Sequence, residues 1–317
     1  MDVAREVLQA EERIRPHLEP TRLEPAPDLT AAGGGQVYCK LENFQPTGSF
    51  KVRGVLNKLL SMAPDDRARG VVTASTGNHG LALAFALNRL GGPGLVFVPE
   101  GSEPSKVEAI KRFGIEVRFH GTDCAQSEVH AREYAAEHNQ TYISPYNDAQ
   151  VIGGQGTIGL ELIGQLESID TVVVSLGGGG MISGIAGYLK SVLPNVRVIG
   201  CSPENSQVMI QSVKAGRILD LPSLPTLSDG TAGGVEAGAI TFPLCRDLVD
   251  EYIIVSETEI KSALREFLST HHMLIEGSAA LAIAAYQKLP PGLTSGNAVI
   301  IICGANIGVH TLKAALE

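Results

Sequence analysis

The chain is short of charge. Asp, Glu, Lys and Arg make up 19% of its 317 residues, against 44% hydrophobic residues, and the mean hydropathy is +0.12. That balance excludes an intrinsically disordered protein, which is charge-rich and poor in apolar residues. Basic residues are the scarcer sign: 25 Lys and Arg against 34 Asp and Glu leave a net charge of −9. An acidic chain repels phosphate backbones, so no general nucleic-acid role is expected. Cysteine is sparse and odd in number, at positions 39, 124, 201, 245 and 303, with no CxxC pair. Neither a disulfide framework nor a cysteine-built zinc site is expected. No apolar run approaches the ~20 residues of a bilayer span. The N-terminal MDVAREVLQAEERIRPHLEP is charged and amphipathic and lacks an apolar signal core. The expectation is a cytoplasmic protein with reduced thiols and no membrane partner. The nucleotide signatures GxGxxG and GxxxxGK[ST] are missing too.

Glycine, in contrast, is abundant, at 36 residues, well above the usual ~7%, and it is clustered. Short apolar runs bounded by glycine, proline or polar residues predict strands at 70–73, 94–99, 116–120, 171–175, 196–201, 252–255 and 298–303. Helical patterns lie between them, at 81–90, 106–113, 128–138, 156–165, 182–192, 257–271 and 278–287. Runs without polar alternation suit strands buried on both faces, and strand–helix alternation predicts an α/β fold with a mostly parallel sheet. Gly and Ser gather where strands hand over to helices, at 75–80, 175–180 and 303–308. Ligands of open α/β sheets sit at such carboxyl ends, so three junctions predict one shared cleft. The Pro-, Gly- and Ser-rich stretch 219–238 reads as a long functional loop, because the alternation resumes after it.

Four stretches carry candidate chemistry. Gly177, Gly178, Gly179 and Gly180, followed by Met181, lie between a β-branched run and a helix. One glycine suffices for a tight turn; four in a row bring several amides to one point at a helix N-terminus and suit a phosphate. Lys51 opens the helical pattern VRGVLNKLL, at the end where a cation is electrostatically out of place. It reads either as a solvated lysine or as a Schiff-base lysine with a depressed pKa. Ser75-Thr76-Gly77-Asn78-His79-Gly80 suits either an ordinary N-cap or a carboxylate site. Cys303, in Cys303-Gly304-Ala305-Asn306, is either a small buried hydrophobe or a weak S–H donor at the ligand end of a strand.

Taken together, Ser49-Phe50-Lys51, the Ser75–Gly80 loop, Gly177–Met181 and Cys303–Asn306 resemble the pyridoxal-phosphate enzymes of fold type II, within them the serine/threonine dehydratases and serine racemases. The resemblance runs in matching order over nearly the whole chain and extends to Gly153–Thr157, Ser228-Asp229-Gly230 and Glu276-Gly277. It implies two open, twisted, mostly parallel sheets flanked by helices, with the cofactor in a cleft between a large domain (1–45 plus 146–317) and a small one (46–145). It implies pyridoxal 5'-phosphate joined to Lys51, whose freed amine takes the substrate α-proton. The phosphate would lie on Gly177–Gly180, closed by Met181. Asn78 would bond the ring 3-oxygen, Phe50 would pack on the ring, Asn147 would line the site and Cys303 would face the ring nitrogen as a neutral thiol, which suits elimination. Ser75, Thr76, Gly77, Asn78 and His79 would take the substrate carboxylate.

Several details of the resemblance bear on function. Serine racemases carry a serine at the position of Thr76, and the extra methyl favours elimination over racemisation. Ser202 and Val208 stand where some relatives have acidic ligands for a divalent cation, with Glu204 shifted, so no metal is expected. Glu276 has two readings, a helix cap near Ser278 or a group orienting Lys51 or the ring. The chain ends soon after Asn306, so no C-terminal regulatory domain is expected. A homodimer is implied. The expected activity is α,β-elimination of water from a 3-hydroxy amino acid of the L-threonine or L-serine type. An amino-acid racemase, a β-replacement enzyme of the cysteine synthase type and a non-catalytic regulator are the competing readings.

Overall fold

The computed structural model describes residues 1–29, 34–75, 77–122 and 124–317. Among them the strands are β1 (Leu23–Pro25), β2 (Val37–Leu41), β3 (Val71–Ala74), β4 (Gly94–Val98), β5 (Glu116–Phe119), β6 (Thr141–Tyr142), β7 (Thr171–Ser175), β8 (Arg197–Pro203), β9 (Glu251–Val255) and β10 (Ala298–Ile302). They form two sheets. The larger has the order β1-β2-β10-β7-β8-β9 and is parallel except for β1, which pairs antiparallel with β2. The smaller has the order β5-β4-β3-β6 and is parallel throughout. Every residue of β3, β7 and β10 is buried, because helices cover both faces of each sheet.

The strand at Thr171–Ser175 and the helix Glu257–His271 fall where the sequence puts them. Several helices start earlier than their apolar periodicity indicates. The helix Ala149–Gln165 begins at Asp148, whose carboxylate accepts the N–H groups of Gln150 and Val151. The helices Asn78–Leu90 and Gly180–Val192 take polar or glycine residues into their first turns. Strand β2 is not evident in the sequence because Lys40 interrupts its apolar run, although its side chain is buried. The stretch 219–238 is irregular apart from a short 3-10 turn at Asp229–Thr231.

The helix Lys51–Ser61 links the two sheets. Val52, Val55, Leu56 and Leu59 pack into the core of the smaller one with Leu83, Val96 and Val98. Its other side meets the helix Ala149–Gln165 backbone to backbone: a Cβ on Gly154 would stand 2.6 Å from Gly54 Cα. One residue from this crossing is Arg53, fully buried. Its guanidinium donates to both oxygens of Glu42 at 2.7 and 2.8 Å and to both oxygens of Glu161 at 2.7 and 2.8 Å. Lys40 Nζ adds a 2.5 Å bond to Glu161 and Arg15 a 2.7 Å bond. Burial pushes the Glu161 carboxyl up, but Arg53 and Lys40 outweigh it and hold the group at about 2. Three cations from three segments of chain therefore neutralise two buried acids.

Removing one partner strands the others. Arg53→Met is expected to cost about 3–5 kcal/mol, read by urea denaturation; a loss below about 1 kcal/mol would overturn the account. Because Glu161 titrates lower folded than unfolded, its contribution is present above its ordinary value of 4.5 and is lost as pH falls toward 2. The stability of Glu161→Gln is thus expected to fall less steeply over that interval than that of the wild type.

Candidate active site

β10 lies beside β7, so the junctions that follow them in the larger sheet are neighbours. The junction after β3 reaches them through one side-chain bond: Asn306 Nδ2 donates to Asn78 Oδ1 at 2.6 Å. The three small-residue junctions therefore meet at a cleft between the sheets. A pocket of about 170 Å³ opens there, lined by Gly77, Leu81, Lys106 and Asn306 among others. Lys106 Nζ spans the opening to Asp229 at 2.8 Å.

Lys51 is placed by the end of β10. The Phe50 N–H donates to the Cys303 carbonyl at 3.0 Å and Ser49 bridges Gly304. Lys51 begins its helix directly after, half-buried, with Nζ 3.0 Å from the Pro145 carbonyl and 5.2 Å from the Phe50 ring centroid. Desolvation lowers its pKa to about 8, against the opposing pull of Glu128, Cys303 and Glu276. A minor neutral fraction thus exists near neutral pH, far larger than for an ordinary lysine.

Glu276 occupies the N-cap position of the helix Gly277–Gln287, but its side chain makes no capping bond. Its carboxylate turns into the cleft instead. Asn78 Nδ2 donates to both oxygens at 3.0 Å and the Asn306 N–H to Oε2 at 3.1 Å, while Cys303 Sγ lies 3.9 Å from Oε1. Of the two readings of Glu276, the capping one is therefore set aside. Burial raises this carboxyl to about 7 although Asn78 and Asn306 bond it. Burial also raises the Cys303 thiol, which stays neutral.

The glycine loop is fixed by crowding. A Cβ on Gly178 would stand 2.4 Å from the Tyr146 ring, on Gly180 2.9 Å from Tyr146 Cα and on Gly177 2.8 Å from the Thr231 carbonyl oxygen. Gly179 has φ +87 and precedes the helix Gly180–Val192 without any side-chain cap. The amides from Gly177 to Ile182 donate to no backbone carbonyl of a described residue. Free N–H groups at a helix N-terminus form an anion cradle. Met181 is buried at the start of that helix. Asn147 stands beside Tyr146, its Oδ1 accepting the Ile240 N–H at 2.9 Å.

The His79 ring is buried: Nε2 bonds the Ile143 carbonyl at 3.0 Å, and desolvation, with the charge of Lys51, lowers its pKa to about 3. Gly77 donates to Ser75 Oγ at 3.2 Å, and the Gly77 Cα faces open space. Thr76 lies outside the described residues. Two participants were not singled out as site residues from sequence. Asn306 had a signal, its place four residues beyond β10; Tyr146 had only its neighbour Asn147.

A depressed Lys51 amine is measurable. Reductive methylation of the cofactor-free protein with formaldehyde at pH 7 is expected to label Lys51 ahead of the exposed lysines, with a profile centred near 8. A midpoint above about 10, the ordinary lysine value, would overturn it.

Comparison with known proteins agrees with this geometry. Residues 14–304 match the family model described as pyridoxal-phosphate dependent enzyme. The chain is 37% identical over 311 residues to an L-threonine ammonia-lyase of Geobacter sulfurreducens, covering 98% of this chain and 77% of that one. Maize serine racemase has a similar structure, with a TM-score of 0.92, 32% identity and coverage of 99% and 96% of the two chains. The processed threonine deaminase isoform 2 of Solanum lycopersicum follows at a TM-score of 0.91, 31% identity and coverage of 99% and 92%. With its two parallel-rich sheets and matched over nearly all its length, the chain belongs to the pyridoxal-phosphate dependent enzymes of fold type II.

Proposed function

We propose that the enzyme is an ammonia-lyase that eliminates water from L-threonine or L-serine, releasing a 2-keto acid and ammonia. The observation that carries the reading is the pairing, in one cleft, of the half-buried Lys51 amine with a glycine loop of free amides. The residues present fit the cofactor. The cradle of Gly177–Gly180 suits its phosphate, and Met181 closes the loop. Phe50, Asn78, Asn147, Glu276 and Cys303 are the proposed neighbours of its ring. When bound, pyridoxal phosphate supplies an electron sink for charge left at the substrate α-carbon. Lys51, as a neutral amine, takes the α-proton at Nζ. Cys303, a neutral thiol, offers a ring nitrogen a weak hydrogen bond and no counter-ion, which suits elimination better than transamination. The proposed carboxylate site is the Ser75–His79 loop: Ser75, Thr76, Gly77 and Asn78, with the His79 backbone.

We also propose two domains, 1–45 with 146–317 and 46–145. β1, β2 and β7–β10 fall in the first and β3–β6 in the second. A second reading, a serine racemase, is supported by the likeness to the maize enzyme.

The two readings separate in one assay. With L-serine, the purified, cofactor-loaded protein is expected to release pyruvate well ahead of D-serine, and with L-threonine 2-ketobutyrate. Comparable rates of D-serine and pyruvate formation would favour the racemase. Lys51→Ala is expected to lower turnover by about 10²–10⁴-fold or more and to abolish the visible absorption of bound cofactor; retained turnover would sink both.

A further inference from the structure

The helix Thr241–Leu248 packs directly against the glycine loop. A Cβ on Gly179 would stand 2.8 Å from Cys245 Sγ and 3.1 Å from Thr241 Cβ. The helix is tied in place. The Ile240 N–H donates to Asn147 Oδ1 at 2.9 Å, and Tyr252 Oη donates to the Cys245 carbonyl at 2.8 Å. A hydroxyl at a helix start usually bonds its own first turn. That of the fully buried Thr241 is turned outward and donates to the Gly178 carbonyl at 2.7 Å.

This bond sets the direction of an amide. The Gly178 carbonyl and the Gly179 N–H belong to one peptide unit, which is trans. They therefore point in opposite directions. With the carbonyl held by Thr241, the Gly179 N–H is turned away from the helix Thr241–Leu248, to a side where no backbone carbonyl of a described residue accepts it. Local backbone sterics impose no such choice. Flipping the unit changes only ψ of Gly178 and φ of Gly179, now at +87, and glycine adopts φ of either sign about as readily.

We infer that Thr241 is a positioning residue for the anion cradle: its hydroxyl keeps the Gly178–Gly179 peptide from flipping and so holds the Gly179 amide toward the cofactor phosphate. A flipped unit would present a carbonyl oxygen where the amide stands, and a carbonyl dipole repels an anion. An amide oriented before binding has no ordering cost left when the anion arrives. The inference rests on the proposed placing of the cofactor phosphate on Gly177–Gly180.

Pyridoxal phosphate and pyridoxal share the ring and aldehyde and differ in the phosphate, so the ratio of their affinities isolates the cradle. Titration of the cofactor-free wild type, followed by visible absorbance, is expected to show pyridoxal phosphate bound at least about tenfold tighter. In Thr241→Val, which keeps the shape and removes the donor, that ratio is expected to fall about fivefold or more. Thr241→Ala repeats the test with a smaller side chain, so the result does not depend on how valine packs. Thr241→Ser, which restores the hydroxyl, is expected to stay within about twofold of wild type. A merely structural role would lower Tm and weaken both compounds alike, leaving the ratio unchanged. A ratio within about twofold of wild type in both Thr241→Val and Thr241→Ala, or a loss in Thr241→Ser equal to theirs, would overturn the inference. A wild type that binds the two compounds equally would overturn the placing of the phosphate, and the inference with it. A wild type that releases no keto acid would overturn the lyase reading alone, because the affinity ratio still decides on Thr241.

Discussion

Arg53 stands two residues from Lys51 and has no contact with water. An unneutralised guanidinium at that depth is prohibitively costly, so Glu42 and Glu161 have to reach it, and the segments carrying them have to be where they are. Glu42 fixes the end of β2, Glu161 fixes the helix Ala149–Gln165, and Lys40 and Arg15 are drawn in to balance the second acid. The orientation of the Lys51 helix follows. Such a network adds less net stability than an apolar core of equal volume. It specifies instead which helix turn faces which strand end, and the position of the Lys51 amine depends on that choice.

The cleft is assembled from groups that satisfy one another. Asn78 and Asn306 bond each other and share the Glu276 carboxylate, so two sheets and one helix start are joined by a few side-chain bonds. This arrangement keeps a buried acid in place, and burial outweighs the bonds from Asn78 and Asn306 and the pull of Lys106, so its titration lies near neutrality. The glycine loop serves two ends at once. Tyr146 and Thr231 crowd it so closely that side chains are sterically barred, and the same absence leaves its amides open to an anion.

The parts legible in the sequence are those whose cause is local. Val172–Val174 and Ile300–Ile302 read as buried strands because their apolar runs are unbroken, and Gly177–Gly180 stand in a row before a helix. Lys51 was legible through its helix start and its neighbours. The parts not legible depend on meetings across the fold. Lys40, Arg53 and Glu161 look like surface charges until their partners, over 100 residues apart for Arg53 and Glu161, are brought together. Arg132 looks like part of the solvated side of a helix until Glu236, over 100 residues away, returns to pair with it. His79 sits in a motif whose backbone faces the cleft, and its ring is captured by Ile143, which no spacing rule reveals.

Strand β10 has a consequence for how the molecule comes into being. It is inserted between β2 and β7 in the centre of the larger sheet, and its end also holds Ser49 and Phe50 beside Cys303 and Gly304. Until it is synthesised, β2 and β7 present open edges and the helix bearing Lys51 lacks its anchor. Pairings spanning more than 250 residues close slowly and leave unpaired edges open to other chains meanwhile. The smaller sheet, whose strands all lie between Val71 and Tyr142, has no such dependence. During synthesis the molecule would thus carry a finished half and an unfinished half, and its reactive amine would gain its final setting only at the closing step.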